Sequence, residues 1–243
     1  YQKKKITNHN LSYFLSFLVL SLISIFLISQ PDFGQTFLLS ITWLSLVFVS
    51  GINPITIIFI LITILLTFST LIYILPDKFG YIINRIITFL DPSKGDNFQT
   101  DKALDAIKLG GLKGQGMGEG ILKERVPEAH TDYIIAIITE EFGSITSILI
   151  VFIFLYIAFR VVKTCLKEND DEIKISLCGL SSILIFQMFI HIGVNTSLLP
   201  TTGMTLPFLS YGGSSLIGSA ILAGFILNYT KNEDNKHFSI HLK

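Results

Sequence analysis

The stretch ISLCGLSSILIFQMFIHIGVN, residues 175–195, decides the fold because it contains no Asp, Glu, Lys or Arg. The uncharged run extends to residue 230, a total of 56 residues, and a second run of 43 covers residues 33–75. A bilayer core takes about 20 apolar residues per helix, so each run holds more than one span. Charged residues make up 15% of the chain, against about 25% in an ordinary soluble domain. We therefore predict an integral membrane protein, which excludes a disordered chain, a disulfide scaffold and a nucleic-acid-binding module.

The predicted fold class is all-α, a polytopic membrane helical bundle that forms a single membrane domain over residues 1–243. Lipid offers backbone groups no partners, so each span must be a helix or part of a closed barrel. Strand-like alternation is absent, which favours helices. Gly, Asn and Pro divide the two long uncharged runs near residues 51–54 and 199–203. The predicted six spans are residues 11–29, 34–50, 55–75, 133–159, 175–198 and 207–229.

The distribution of Lys and Arg predicts the orientation of these spans. Ten of these residues lie in the N-terminal tail, in residues 160–174 and in the tail 231–243, and none lies in the short loops of the opposite side. Short cytoplasmic loops carry such an excess, so both ends of the chain and the 160–174 loop are predicted to be cytoplasmic. Residues 76–132 then form one large extracytoplasmic loop.

That loop contains the most informative local patterns. Residues 79–90 place apolar side chains at helical spacing around Arg85, which predicts a helix lying flat at the outer surface. A short helix is predicted over residues 102–108. Residues 110–120 contain six glycines. This run is interpreted either as a flexible turn region or as a surface whose backbone amides approach phosphate oxygens.

Few ionisable or reactive side chains are placed within the spans. Glu140 and Glu141 fall two turns into the predicted 133–159 helix, so at least one is expected to face protein or a wet cavity. His191 is isolated in an apolar helix and is expected to be a hydrogen-bonded core residue. Cys165 and Cys178 match no metal or disulfide spacing and are predicted to be ordinary small core or loop residues.

The densest chemistry is KERVPEAHTDY, residues 123–133, with three carboxylates, two cations and an imidazole. Thr131 or Asp132 is expected to cap the helix that follows. The helix dipole would favour an ionised Asp132, whereas partial burial would raise its pKa. The residues alone leave open whether this is a cap followed by a solvated charge run or a catalytic cluster.

Four motifs occur in order: QPDFG (30–34), PEAHTDYII (127–135), EEFG (140–143) and LPTTGMTLPFLSYGGSS (199–215). Together they resemble the SEDS family (shape, elongation, division and sporulation) of membrane proteins, and are most similar to its division branch. Members have about ten spans, so the six predicted here look like the last six. The lack of an initiator Met agrees with a chain that begins part-way through such a protein.

The resemblance implies a peptidoglycan glycosyltransferase that polymerises lipid II, a disaccharide-pentapeptide on undecaprenyl diphosphate, in the bacterial plasma membrane. It also implies a class B penicillin-binding protein and other division proteins as partners. The essential carboxylate of the family falls on Asp132, hypothesised to be the general base, and a second functional acid falls on Glu124. A Lys that is common in the fourth motif is Thr202 here, and the second residue after Gly34 rather than the first is Thr.

Arg85, Lys113 and Arg125 are the candidate cations for the diphosphate, in no defined order. The remaining substrate-contact predictions are Asp32, Glu128, His130, Ser210 and Tyr211. No cofactor is assigned, and a requirement for a divalent cation stays open. Two alternatives are a lipid II transporter and a non-catalytic scaffold for the penicillin-binding protein.

Overall fold

The computed structural model describes the backbone of residues 9–74, 76–91, 98–125 and 128–240, and their side chains apart from 9–10, 67–68, 71–72, 77–78, 123–124 and 232–240. The regular structure within these ranges is helical, as predicted. In chain order the helices are α1 (His9–Ser29), α2 (Phe33–Val49), α3 (Pro54–Ile74), α4 (Pro76–Leu90), α5 (Phe98–Gly110), α6 (Leu122–Arg125), α7 (Ala129–Asp132), α8 (Ile134–Phe142), α9 (Ser144–Lys167), α10 (Asp171–Asn195) and α11 (Gly213–Ile240).

Four helices in the described ranges are long and apolar enough to cross a membrane: Leu11–Ser29, Ser144–Lys167, Asp171–Asn195 and Gly213–Lys231. Shorter apolar helices cover Phe33–Val49, Pro54–Leu66 and Phe79–Leu90. The predicted multi-span helical fold is therefore confirmed. Helix length by itself supports four of the six predicted spans, and α2 and α3 occupy the positions of two more.

The centre of the bundle is α10. In its most apolar stretch 56% of the residues are buried, whereas the corresponding share is 11% in α9 and in α11. It packs against α2, α9 and α11, and α5 contacts it as well. Gly179 allows the close approach of α2, since a Cβ there would lie 2.9 Å from a methyl group of Leu46. The exposed apolar faces of α1, α3, α9 and α11 are typical of lipid-facing surfaces.

The prediction of one continuous span over 133–159 is wrong, because this segment forms a hairpin of two helices. Gly143 separates α8 from α9 with φ 85 and ψ 165, a conformation that favours glycine. The Thr139 and Ser147 hydroxyls, four residues to either side, are hydrogen-bonded at 2.7 Å, so the two helices run antiparallel. The side chains of Glu140 and Glu141 therefore lie at the tip of a hairpin rather than within a span.

The predicted last span, 207–229, is also wrong at its beginning. Helix α11 starts at Gly213, and the described residues 200–212 contain no helix. Leu206 packs in a buried cluster with Ile135, Phe154 and Met188. Met188 lies seven residues before the end of α10, so the non-helical segment descends about 10 Å into the bundle at 1.5 Å per residue.

The predicted loop 76–132 is largely helical in its described parts. Helix α4 covers the amphipathic stretch around Arg85 and buries Phe79 and Ile82, and α5 includes the predicted 102–108 helix. The glycine run packs against the hairpin tip: a Cβ on Gly110 or Gly114 would overlap the carbonyl groups of Thr139 or Glu141. Its interpretation as a phosphate surface is weakened, because the amides of Gln115 and Gly116 donate to Glu140 and Glu141 carbonyls.

Candidate functional site

Two interrupted stretches of backbone meet beside the C-terminal end of α10. One contains the single-turn helix α7 and the break at Tyr133, and the other is the non-helical segment of residues 200–212. Irregular backbone inside a membrane bundle is tolerated where it is buried in protein or lines a cavity, and it often marks a site. Three hydrogen bonds connect the stretches to each other and to α10: Asn195 Nδ2 to Asp132 O at 2.9 Å, Ser210 Oγ to Thr131 O at 2.6 Å and Tyr211 N to His130 O at 3.0 Å.

Local geometry presents Asp132 at the end of α7 rather than as a helix cap. Glu128, in the left-handed region with φ 61, precedes this helix and accepts a bond from the Thr131 hydroxyl at its carboxylate, at 2.8 Å. Tyr133 then separates α7 from α8 and makes no side-chain capping bond. The prediction that Thr131 or Asp132 caps the following helix is therefore wrong, and the carboxyl group of Asp132 is left available for other contacts.

The Asp132 carboxyl group is half-buried and faces Gly203. A Cβ on that glycine would stand 3.6 Å from Asp132 Oδ2, and Gly203 has φ 70. Burial raises the pKa of Asp132 above its ordinary value, and the negative charge of Glu128 raises it further. The hydroxyl of Thr131 and the cation of Arg85 oppose this shift. The net effect is a more basic carboxylate, as a general base requires.

Arg85 is the one of the three candidate cations whose charge acts on Asp132. Its Nη1 donates to Thr201 O at 3.1 Å, and its guanidinium lies 5.9 Å from the ring centroid of Tyr81. Burial raises the pKa of Tyr81, the positive charge of Arg85 opposes that shift, and the negative charge of Asp32 adds to it. Arg85 and Asp32 therefore both lie close to Tyr81. A cavity of about 370 Å³ opens beside Arg85 between α4, α5 and the segment after α10. Its polar lining comes from Asn84, Arg85, Thr88, Thr100, Asp101, Ser197 and Thr201.

A second, more apolar cavity is lined by residues close to Asp132 in the chain. It has a volume of about 560 Å³ and is lined by residues that flank Asp132 and by the turn before α11. His130 and Tyr211 are exposed at this cavity, and Ser210 is buried in its wall. Asp132 lines neither cavity itself, but it lies in the chain between His130 and Ile134, which line the apolar one.

Asp32 occupies the N-cap of α2, where its Oδ1 accepts the Gln35 amide at 3.0 Å. The start of α2 packs on the same non-helical segment, because a Cβ on Gly34 would lie 2.7 Å from Thr202 O. The carboxylate thus has a structural role, while its predicted substrate contact remains a prediction.

The structure separates Lys113 from Asp132 and places Arg125 at a third cavity. Lys113 belongs to the glycine run at the hairpin tip, and α8 puts about 13 Å of helix between that tip and Asp132. Arg125 lines a cavity of about 400 Å³ with Lys102, Lys108 and Glu140. Glu140 is 1% exposed and accepts the amides of Ile121 and Leu122, so the expectation that one acid faces protein is confirmed. The Glu124 side chain lies outside the described residues.

Among the residues that the structure describes, no three His, Cys, Asp or Glu side chains are grouped as a metal site. Cys165 and Cys178 are free thiols in the packed α9–α10 interface, as predicted.

Comparison with known proteins identifies the family. The sequence profile of the family described as "Cell cycle protein" (FtsW, RodA and SpoVE) matches residues 1–235. The chain belongs to this family. It is 36% identical over 213 residues to a Caulobacter vibrioides protein named "Probable peptidoglycan glycosyltransferase FtsW", covering 88% of the chain and 54% of the relative. A Francisella salina protein of the same name is 36% identical over 230 residues, covering 92% of the chain and 56% of the relative. The chain thus spans about half the length of these relatives.

The fold of this family member matches a solved structure. The match has a TM-score of 0.72 at 24% identity and covers 90% of this chain and 62% of the other. That structure is described as "Structural coordination of polymerization and crosslinking by a peptidoglycan synthase complex". The membrane-protein fold and the family resemblance predicted from the sequence are both confirmed.

The expectation that His191 is a hydrogen-bonded core residue is confirmed, since its Nδ1 lies 2.7 Å from Met204 O. Sequence reasoning did not predict that His191 forms a set with two other polar residues of α10. Gln187, His191 and Asn195 repeat every four residues along α10 and are all buried. The spacing was visible in the sequence, but the hydrogen bonds to Asp132 and to residues 204–205 connect segments that are distant in the chain.

Proposed function

We propose that this chain is the catalytic part of a peptidoglycan glycosyltransferase of the cell-division branch, which polymerises lipid II into glycan strands. The observation that carries the proposal is the position of Asp132. Its half-buried carboxyl group lies where two interrupted backbone segments meet, within reach of the charge of Arg85, and its chain neighbours His130 and Ile134 line an apolar cavity. The names of the relatives supply the reaction class.

In the proposed mechanism Asp132 takes the proton from the 4-hydroxyl of the acceptor sugar. The hydroxyl oxygen then attacks the anomeric carbon of the growing chain, and the bond from that carbon to the lipid diphosphate breaks. A raised pKa suits this role, and general base catalysis contributes about 10²–10⁴-fold. Arg85 faces the developing charge on the leaving diphosphate, since it lies within electrostatic reach of Asp132.

The proposed topology places both ends of the chain in the cytoplasm and the Asp132 end of α10 at the outer surface. The excess of Lys and Arg at the opposite ends of the spans supports it. Lipid II carries its sugars outside the membrane, so the base must lie at the outer interface. A penicillin-binding protein is the proposed partner, in agreement with the synthase complex to which the fold is similar.

The test is polymer formation by the purified full-length protein with lipid II in detergent. We expect Asp132→Asn to abolish polymer while the protein remains folded in the membrane. Asp171→Asn, the same change at the opposite end of α10, removes an exposed carboxylate and serves as the matched control. Normal polymer from Asp132→Asn would refute the assignment of the base.

The interrupted backbone near Asp132 is also found in transporters, which makes lipid II translocation the second candidate. Detergent micelles have no two compartments, so polymer formed there cannot come from transport. A third possibility, a scaffold without catalysis, predicts that Asp132→Ala complements loss of the gene. If that variant fails to complement and the wild type forms polymer, the scaffold and transporter alternatives are both refuted and the enzyme remains.

A further inference from the structure

Three buried polar side chains form a seam along the most buried helix, α10. Gln187, His191 and Asn195 are 8%, 1% and 0% exposed, and their spacing of four residues places them on one face. Polar groups are costly at such positions unless they are hydrogen-bonded. Their partners therefore indicate what the seam holds in place.

Each residue of the seam binds a backbone carbonyl in one of the two interrupted segments. Gln187 Nε2 donates to Thr205 O at 2.9 Å, and His191 Nδ1 lies 2.7 Å from Met204 O. A carbonyl only accepts, so His191 carries its proton on Nδ1. Asn195 Nδ2 donates to Asp132 O and to His191 O, both at 2.9 Å.

The two residues of the seam nearest the C-terminal end of α10 hold the backbone next to the Asp132 carboxyl group and opposite it. Asn195 holds the main chain of Asp132 itself. His191 holds the carbonyl of Met204, the neighbour of the Gly203 that faces Asp132 Oδ2. Gln187, one turn below His191, holds Thr205, which is farther along the chain from that glycine. In the low dielectric of the bundle these hydrogen bonds are strong and directional. They therefore fix the two backbone segments of the site relative to α10.

We propose that Asn195 is a positioning residue for Asp132, which fixes the distance of the carboxylate from Gly203 and from the acceptor sugar. The proposal rests on the proposed function for its kinetic consequence, but the placement of Asp132 is measurable without catalysis.

The kinetic test uses the full-length protein with Asn195→Leu, which replaces the amide by an apolar side chain of similar size that has no donor. We expect kcat to fall by about tenfold or more, since small misplacements of a catalytic group are costly. KM should stay close to that of the wild type. Gln187→Leu removes the hydrogen bond to Thr205 O, which does not involve Asp132. At a similar loss of thermal stability, it should lower kcat less than Asn195→Leu does.

Ser181→Ala is the neutral control, because the Ser181 hydroxyl bonds only carbonyls of its own helix. If Asn195 is merely structural, Asn195→Leu and Gln187→Leu will lower kcat in the same proportion to their loss of Tm. That result, or an unchanged kcat in Asn195→Leu, would overturn the positioning role.

A second measurement separates this proposal from the proposed function. In full-length protein with every native cysteine, Cys165 and Cys178 among them, replaced by Ala, Asp132→Cys provides a thiol at the position of the proposed base. We expect Asn195→Leu to change its rate of labelling by a water-soluble maleimide, and Ser181→Ala to leave the rate unchanged. Equal labelling rates in all three proteins would refute the placement of Asp132 by Asn195. If Asn195→Leu alters the labelling but the wild type makes no polymer, the proposed enzymatic function is refuted and the positioning role stands.

Discussion

The two ends of α10 are built differently. At the Asp171 end, α9, α10 and α11 are regular helices packed through an apolar cluster that includes Val161, Cys165, Leu177 and Ile226. At the Asn195 end the neighbouring backbone is interrupted at Tyr133 and Gly143 and over residues 200–212, and polar side chains replace apolar ones. The comparison shows that the regular end is held by apolar packing, whereas at the interrupted end polar side chains of α10 hold the backbone around a half-buried carboxyl group.

The largest loss of stability at the interrupted end is expected from Gly143→Ala. The left-handed φ of 85 strains any other residue, and the new Cβ would overlap the Leu112 carbonyl. We expect a loss of stability of about 2–5 kcal/mol, measured as a lower midpoint of denaturation.

Gly224→Ala in α11 is the matched control, since a Cβ there meets nothing within 4 Å. Alanine is the better helix former, so this variant should be unchanged or more stable by about 0.5–1 kcal/mol. Equal stability of the two variants would show that the hairpin turn needs no glycine.

Arg85→Gln should lower the polymerisation rate by about 10²-fold, the scale of a lost electrostatic contact to a developing charge. Arg85→Lys should retain part of the rate, because it keeps the charge but loses the planar fork. Lys113→Gln, at the hairpin tip, is the control for a lost positive charge. A larger loss for Lys113→Gln than for Arg85→Gln would contradict the assignment of Arg85.

The rate should also depend on pH through Asp132. The proposed base would act when deprotonated, so the rate should be lost as the pH falls through its raised pKa. Because Glu128 raises this pKa and Arg85 lowers it, Glu128→Gln should move the acid limb to lower pH and Arg85→Gln to higher pH. Shifts in the opposite directions would indicate that another group titrates.

The same shift affects stability. A carboxyl group whose pKa is higher in the folded than in the unfolded state binds more protons when folded, so stability falls as the pH rises from 3.8 through the folded value. Asp132→Asn does not titrate and should have a higher Tm than the wild type at neutral pH, with the gap narrowing in acid. A constant gap at all pH values would contradict this.

The smallest effect is expected at the regular end. Cys165 and Cys178 lie with their sulfur atoms 3.6 Å apart, and neither contacts the interrupted segments. Replacing each by Ala should cost about 1 kcal/mol or less and leave the polymerisation rate unchanged. A large loss of rate would show that the two ends are coupled more tightly than the packing indicates.

The sequence predicted the features that depend on local composition. Uncharged stretches of about 20 residues identified α1, α9, α10 and α11, because the transfer of a helix into lipid depends on the sum over its own residues. The motif order identified the family, and the resemblance to that family, rather than the charged stretch itself, singled out Asp132. The sequence did not predict the turn at Gly143, since EEFGS is short and the apolar pattern continues across it.

Only the tertiary structure decided which residues surround Asp132. Asn195 and Asp132 are 63 residues apart in the chain, and their hydrogen bond exists because two interrupted segments pack against one end of α10. The choice of Arg85 among three candidate cations has the same origin. Hydropathy is additive along the chain, whereas a site is a set of directional contacts between distant segments, and such contacts are determined by packing.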